Sequence, residues 1–313
     1  MKERIDVLGL GAVAVDDLLF LEEYPAPDSK HQILGTERHA GGLAGTALVA
    51  ASRLGRACAY AGTLGNDELS RFIIDGFTVE GVSVRHLVHR EVAPPFHSII
   101  LVDTRTKTRT ILFNAANVIG PSPSEPSEEV IRSAGVLLVD HVGLEGMLRA
   151  TRIARGAGIP VVADLERLLG DPFRVLLAAI DHLILPYEFA RSLSGAKDAP
   201  SAVRALWSQD RAAVVVTCGA EGSWYLTSEE PGRVFHQPAF KVEVVDTNGC
   251  GDVFHGAYAA GLSEGMKAAE RIRFAAGVAA CKATRTGGQK GIPSRAEAMR
   301  FLADRSTEGA RSS

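Results

Sequence analysis

Tryptophan, methionine and cysteine are scarce in this chain, with two, four and four copies among 313 residues. The cysteines, Cys58, Cys218, Cys250 and Cys281, lie far apart and form no C-x-x-C pair. That spacing excludes a disulfide-stapled scaffold and fits reduced thiols filling small apolar sites. No set of Cys and His residues has metal-ligand spacing. No apolar run approaches the roughly 20 residues of a membrane span. The opening Met1-Lys2-Glu3-Arg4-Ile5-Asp6 is too charged for a secretory leader, so a cytoplasmic location is expected. A basic excess is also missing: 34 Lys and Arg against 37 Asp and Glu leave a formal charge of −3. Such a chain has no electrostatic case for nucleic acid. It has no G-x-x-x-x-G-K-[ST] run, so a Walker-type NTPase is not supported. What remains, 46% hydrophobic and 23% charged, suits one large α/β domain or two smaller ones.

The informative stretch is Val245-Asp246-Thr247-Asn248-Gly249-Cys250-Gly251-Asp252-Val253. Val242 to Val245 reads as the end of a strand, Asp246 to Gly251 as a turn, and the helical pattern begins at Cys250. A glycine-rich turn that opens a helix offers backbone N–H groups and a positive dipole end to an anion. Asp252 falls in the first turn beside that anion site. Asp is common near helix starts as a capping carboxylate. A carboxylate beside a phosphate site could instead take the proton of an attacking alcohol.

Along the rest of the chain the rhythm is β-α-β. Ile5 to Leu10, Val136 to Asp140, Val161 to Asp164, His182 to Leu185 and Val214 to Thr217 read as buried strands, separated by helical stretches. This predicts a mainly parallel sheet covered on both faces, with ligands at the carboxyl ends of its strands. Asp140, Asp164, Thr217 and Asp246 are expected at such ends. Phe96 to Asp103 and Thr108 to Phe113 read as a β-hairpin around Thr104-Arg105-Thr106-Lys107. Gly9-Leu10-Gly11-Ala12-Val13-Ala14 matches a G-x-G-x-x-A dinucleotide fingerprint, which leaves an NAD(P)-dependent dehydrogenase as an alternative. That motif needs a helix directly afterwards, and the following residues up to Pro25 and Pro27 read as extended chain.

The segment Asp246 to Asp252 closely resembles the D-T-x-G-A-G-D signature of the ribokinase-like, phosphofructokinase-B-type carbohydrate kinases, with Cys250 in place of alanine. Gly41-Gly42, the run Gly62 to Asp67, Thr217-x-Gly219-x-x-Gly222 and the glycine-rich loop Arg285 to Gly291 extend the resemblance over nearly the whole chain. It implies a three-layer sandwich with a mainly parallel central sheet and a small inserted β-sheet lid. The core would comprise residues 1–12, 39–95 and 115–304, the lid residues 13–38 and 96–114, and residues 305–313 a flexible tail. It also implies an Asp252 base and an anion hole from Gly249, Cys250 and Gly251. The sugar would meet Asp16, Lys30, Gly41, Gly42 and Asn114, and ATP would meet Thr217, Gly219, Gly222, Thr247 and Gly288. Mg²⁺ is implied, with Glu188 the one carboxylate near the place of the missing N-x-x-E motif. A monovalent cation, K⁺, is implied beside Asp246. Pairing of two lids into a homodimer is expected. His141 and His255 are expected to be structural.

Within that family the blocks Gln237 to Val242, Val253 to Gly256 and Gly287 to Pro293 look most like sulfofructose kinases, and Asp28-Ser29-Lys30 also resembles ketohexokinases. A sulfonate needs a cationic clamp, and His141-Val142-Gly143 after Asp140 contains no Arg. The expected reaction is therefore ATP-dependent phosphorylation of a primary hydroxyl of a ketohexose or ketohexose derivative. The remaining alternative is a non-catalytic sugar or nucleotide sensor on a kinase scaffold, against which the retained Asp252 speaks.

Overall fold

The computed structural model describes residues 4–168 and 170–311. In chain order its strands are β1 (Ile5–Gly9), β2 (Ala14–Leu21), β3 (Gly35–Gly41), β4 (Cys58–Tyr60), β5 (Thr63–Leu64), β6 (Val82–Ser83), β7 (Val88–His89), β8 (Phe96–Asp103), β9 (Thr108–Asn114), β10 (Ala134–Val139), β11 (Val161–Asp164), β12 (His182–Pro186), β13 (Ala213–Thr217), β14 (Ser223–Thr227) and β15 (Phe235–Gln237). Nine form one sheet in the order β15-β14-β13-β12-β11-β10-β1-β4-β6. Its strands from β13 through β6 are parallel, while β14 and β15 are antiparallel additions at one edge.

The continuous apolar runs of β10 to β13 follow from burial on both faces. Val136, Leu138, Val162, Ile184 and Val215 pack under the helices Leu43–Arg53, Cys250–Ser263 and Ala268–Ala283. Leu137, Val139, Leu183, Val214 and Val216 face the helices Leu144–Gly156, Tyr187–Ser194 and Ala199–Leu206. The result is the three-layer α/β sandwich that the strand rhythm implied. Among the described residues no helix is long and apolar enough to cross a membrane.

A second sheet of four strands, β3-β2-β8-β9, stands over the carboxyl edge of the first. Its pairing is mixed: β2 and β8 are parallel, the outer pairs antiparallel. β3 continues through Gly41, so His39, Ala40 and Gly41 belong to this lid and not to the core segment expected to begin at residue 39. No helix follows the first glycine turn, because Ala14 opens β2, and the dinucleotide fingerprint therefore lacks its structural context.

Two further expectations change. Val242 to Val245 is not a strand, so Asp246 does not stand at a strand end; the N–H groups of Val245 and Asp246 instead donate to the Ala283 carbonyl. The last helix, Arg295–Arg311, runs through most of the stretch read as a flexible tail from residue 305, and residues 312–313 lie outside the described residues.

Candidate active site

The site is assembled where the lid meets the start of helix Cys250–Ser263. Gly249 is the N-cap, at φ 74°, a left-handed conformation that glycine adopts without strain. The Cys250 N–H donates to the Thr247 carbonyl at 3.2 Å. The first N–H groups of a helix have no acceptor within it, and Gly249 lines the cleft. Asp252 follows in the first helical turn, and one pocket is lined by Asp16, His39, Gly41, Gly42, Thr46, Asn248, Gly249, Asp252 and Gly288.

Small residues let the end of β3 lie close against the entry into β2. A Cβ on Gly42 would come within 2.5 Å of Val13 Cα, and one on Gly41 within 2.9 Å of Asp16 Oδ2. Gly42 also has φ 89°. The pair thus lets β3 turn into helix Leu43–Arg53 right beside the Asp16 carboxylate.

Strand register decides which lid residues face the pocket. His39, Asp16, Ser98 and Phe113 are directly paired across β3, β2, β8 and β9, so their side chains share the inner face. Burial raises the Asp16 carboxyl above its ordinary range, against the opposing hydrogen bond to Ser98. His39 Nε2 lies 2.6 Å from Glu37 Oε2, and Lys290 Nζ lies 3.4 Å from the same oxygen. This chain of contacts ties the lid to the loop that contains Gly288.

Beneath Asp252 the strand ends bring carboxylates together. Asp140 accepts from the N–H groups of Ala12 and Val142, and burial still pushes its carboxyl up to about 6. Asp164, 4% exposed, is raised well above the ordinary range by burial and by Glu166 and Asp140. Asp252 is raised for the same reason, burial first and the charge of Asp164 second. His255 holds the helix to the sheet: its Nδ1 lies 2.9 Å from the Gly251 carbonyl and 3.1 Å from Asp164 Oδ2, and its Nε2 3.1 Å from the Ile184 carbonyl. It is buried and serves packing, as expected of it.

The residues expected to meet ATP lie further along the same edge. Thr217 ends β13, two strands beyond Asp164, roughly 10 Å across at the usual strand spacing. The turn after it closes through the Cys218 N–H to Gly222 carbonyl bond of 2.7 Å, and a Cβ on Gly222 would lie 2.1 Å from the Gln237 carbonyl. Gly288 packs against Gly249, 3.6 Å from where a Cβ on Gly249 would be. Thr247 is exposed on the turn before the helix.

Three expected residues are not brought to this group. Lys30 lies on the exposed loop between β2 and β3, beyond the Phe20–Gly35 pair and hence at the other end of the hairpin from Asp16. Asn114 pairs with His97 and so points to the face opposite Asp16, where its Oδ1 accepts the Ala116 N–H at 2.8 Å. Glu188 is turned outward and pairs with Arg191 at 2.8 Å.

Three residues not singled out by the sequence are found here. His39 and Ser98 flank Asp16. Arg167, three residues after Asp164, places its guanidinium 5.6 Å from the Phe113 ring centre and makes no ion pair among the described residues. Together with burial it lowers the His141 imidazole to about 4, and His141 Nδ1 is buried without a hydrogen-bond partner. A basic side chain is thus present near His141, from the loop that follows β11. Its one advance signal was the spacing Asp164-x-x-Arg167 after a strand end.

The pfkB family carbohydrate kinase model matches residues 5–295. Ribokinase of Haemophilus influenzae is 28% identical over 312 residues, covering 96% of this chain and 99% of that protein. Ketohexokinase of Mus musculus is 25% identical, covering 90% and 97%. The solved structure of Arabidopsis thaliana ribokinase complexed with ribose and ATP superposes with a TM-score of 0.83 over 96% of this chain and 99% of that one; at 22% identity the likeness concerns the fold.

Proposed function

Because the chain belongs to the pfkB family of carbohydrate kinases, we propose that it transfers the γ-phosphoryl group of ATP to a primary hydroxyl of a ketohexose or ketohexose derivative. The observation that carries this is that one pocket brings Asp252 together with Gly249 at the helix start and with the lid carboxylate Asp16. The amides at the helix start suit the charge that develops on a transferring phosphoryl group. Asp16 and Ser98 suit sugar hydroxyls. Asp252 accepts the proton of the attacking hydroxyl, and Cys250 leaves the backbone of the hole intact.

ATP lies across Thr217, Gly219 and Gly222 with its phosphates toward Thr247, Gly288 and the helix start. Mg²⁺ on those phosphates neutralises their charge. Among the described residues no three side chains gather as a metal cage, which fits a cation that keeps its waters and leans on one or two carboxylates. Asp164, whose Oδ2 makes no hydrogen bond of good geometry and has the His255 ring 3.1 Å away, and the exposed Glu166 are the residues that would face it. Closure of the lid over the row His39, Asp16, Ser98 and Phe113 keeps water from the phosphoryl group.

The end of the substrate farthest from the reacting hydroxyl meets Arg167. Phe113 is two strands from Asp16, roughly 10 Å, which is about the length of a hexose derivative. An unpaired guanidinium at that distance favours an anionic substituent on the sugar. The test is ATP-dependent kcat/KM across fructose, 6-deoxy-6-sulfofructose, fructose 6-phosphate, ribose and adenosine. Preference for ribose or adenosine sinks the ketose reading. A preference above about a hundredfold for an anionic ketose over fructose, near 2.7 kcal/mol, supports the Arg167 contact, and Arg167→Ala should then abolish the preference while leaving fructose turnover unchanged.

A further inference from the structure

The K⁺ that the family resemblance implies beside Asp246 does not fit the residues found there. Asp246 has already committed both carboxylate oxygens. Oδ1 accepts the Asn248 N–H at 2.8 Å and Oδ2 accepts the Gly287 N–H at 2.9 Å. Its main-chain carbonyl accepts a hydrogen bond from Lys282 Nζ at 2.9 Å, and the same Nζ lies 3.7 Å from Oδ2. Lys282 comes from the last turn of helix Ala268–Ala283 and is 0% exposed. A buried ammonium is tolerated only where oxygen atoms replace its hydration. Here those oxygens are the Asp246 carbonyl and, at longer range, its Oδ2. Two cations on one carbonyl and one carboxylate, out of water, would repel strongly.

We infer that Lys282 is a built-in cation that fixes the Asp246–Gly251 loop, so that phosphoryl transfer needs no added K⁺. The inference rests on the kinase reading of that loop. Lys282 touches neither substrate nor the reacting atoms. It is a positioning residue, acting through the Asp246 backbone on the amides of Gly249 and Gly251. The same helix end supports the loop a second time, because the Ala283 carbonyl accepts from Val245 and Asp246. The Gly287 contact extends the support to the loop that holds Gly288. The charges that act on the Cys250 thiol within the loop are acidic apart from Lys282, namely Asp246 and Asp252, and Sγ lies 3.7 Å from the Ala279 carbonyl; the nearby cations Arg285 and Lys290 are turned to Glu297 and Glu37. A fixed positive charge therefore belongs here on electrostatic grounds, and the side chain supplies it.

The experiment compares wild type, Lys282→Ser and Lys282→Met in tetramethylammonium buffer with and without K⁺ or NH₄⁺, and measures ²⁰⁵Tl⁺ binding to each by NMR. Wild-type kcat should change by less than about twofold on adding K⁺, with no K⁺-displaceable Tl⁺ signal. Lys282→Ser should lose about tenfold or more in kcat, with a smaller change in KM for ATP, and recover part of it with K⁺ or NH₄⁺. It should also gain a Tl⁺ signal. Lys282→Met, which fills the space without charge, should lose kcat and stay unrescued. Clear activation of the wild type by K⁺, displaceable Tl⁺ binding to the wild type, or full kcat in Lys282→Ser without K⁺ overturns the inference. If both variants fail to fold, the wild-type K⁺ response and Tl⁺ spectrum decide it alone. A wild type without sugar kinase activity refutes the kinase reading instead, and the Tl⁺ measurement still decides who occupies the cation position.

Discussion

Asp252 shows how one side chain takes its chemistry from its surroundings. Burial and the neighbouring Asp164 hold its carboxyl well above the ordinary range. A base must be ionised to accept a proton, so activity is absent below the raised value and grows as pH rises through it. The acid limb of the kcat/KM profile should therefore lie above the pH where an exposed Asp titrates; a limb near 4 would show that the carboxyl is solvated in the working enzyme. Asp252→Asn should keep ATP binding, lose at least about two orders of magnitude in kcat and show no such limb. Turnover near the wild-type rate would assign the base elsewhere. At this scale the sequence was partly legible. Asp16, Gly41, Gly42, Gly249 and Asp252 belong to local motifs, and the fold brings them together. Lys30, Asn114 and Glu188 were placed by analogy with short segments, and strand register or an alternative ion pair turned them away. Arg167 and Lys282 were missed because their partners are distant in sequence, and His39 because only strand register sets it beside Asp16; nothing local distinguishes Lys282 from any other lysine near a helix end.

At the scale of elements, the helix that begins at the anion hole is seated by its closest approach to a neighbour. A Cβ on Gly256 would lie 2.1 Å from the Ala47 carbonyl of helix Leu43–Arg53. Gly256→Ala must push these helices apart, and overpacking of this kind costs about 1–3 kcal/mol. A urea unfolding curve should show that loss in its midpoint with an unchanged slope; an unaltered midpoint would mean the interface is loose. The displaced helix also begins at Asp252's turn, so kcat should fall with stability. The run Ala257, Ala260, Gly261 announced this close packing in sequence, and β10 to β13 announced themselves by unbroken apolar runs. Val242 to Val245 misled because alternating Val and Glu resembles a strand. Its N–H groups at Val245 and Asp246 found the end of a helix to bond to, an acceptor that only tertiary structure supplies.

For the whole molecule, the lid leaves β9 as an open edge with Ile111, Leu112 and Phe113 about half exposed, and Ile99 nearby on β8 is 40% exposed. Proteins commonly cover such edges. Light scattering at micromolar concentration should give a dimer, and Leu112→Glu should shift it to monomer; a monomeric wild type would refute pairing through the lid. The order of the chain has one more consequence. The four lid strands enter the core as two separate insertions, β2 with β3 and β8 with β9, while the proposed anion hole and base lie more than a hundred residues later at the start of helix Cys250–Ser263. On the proposed reading, the lid's part in holding the acceptor and the chemistry of transfer are encoded in different stretches of the gene, with Arg167 in a third between them. Substitutions within residues 14–114 would then alter how Asp16 and Ser98 hold the acceptor without touching the helix that carries Asp252, while the anionic preference assigned to Arg167 could be changed separately from the loop after β11.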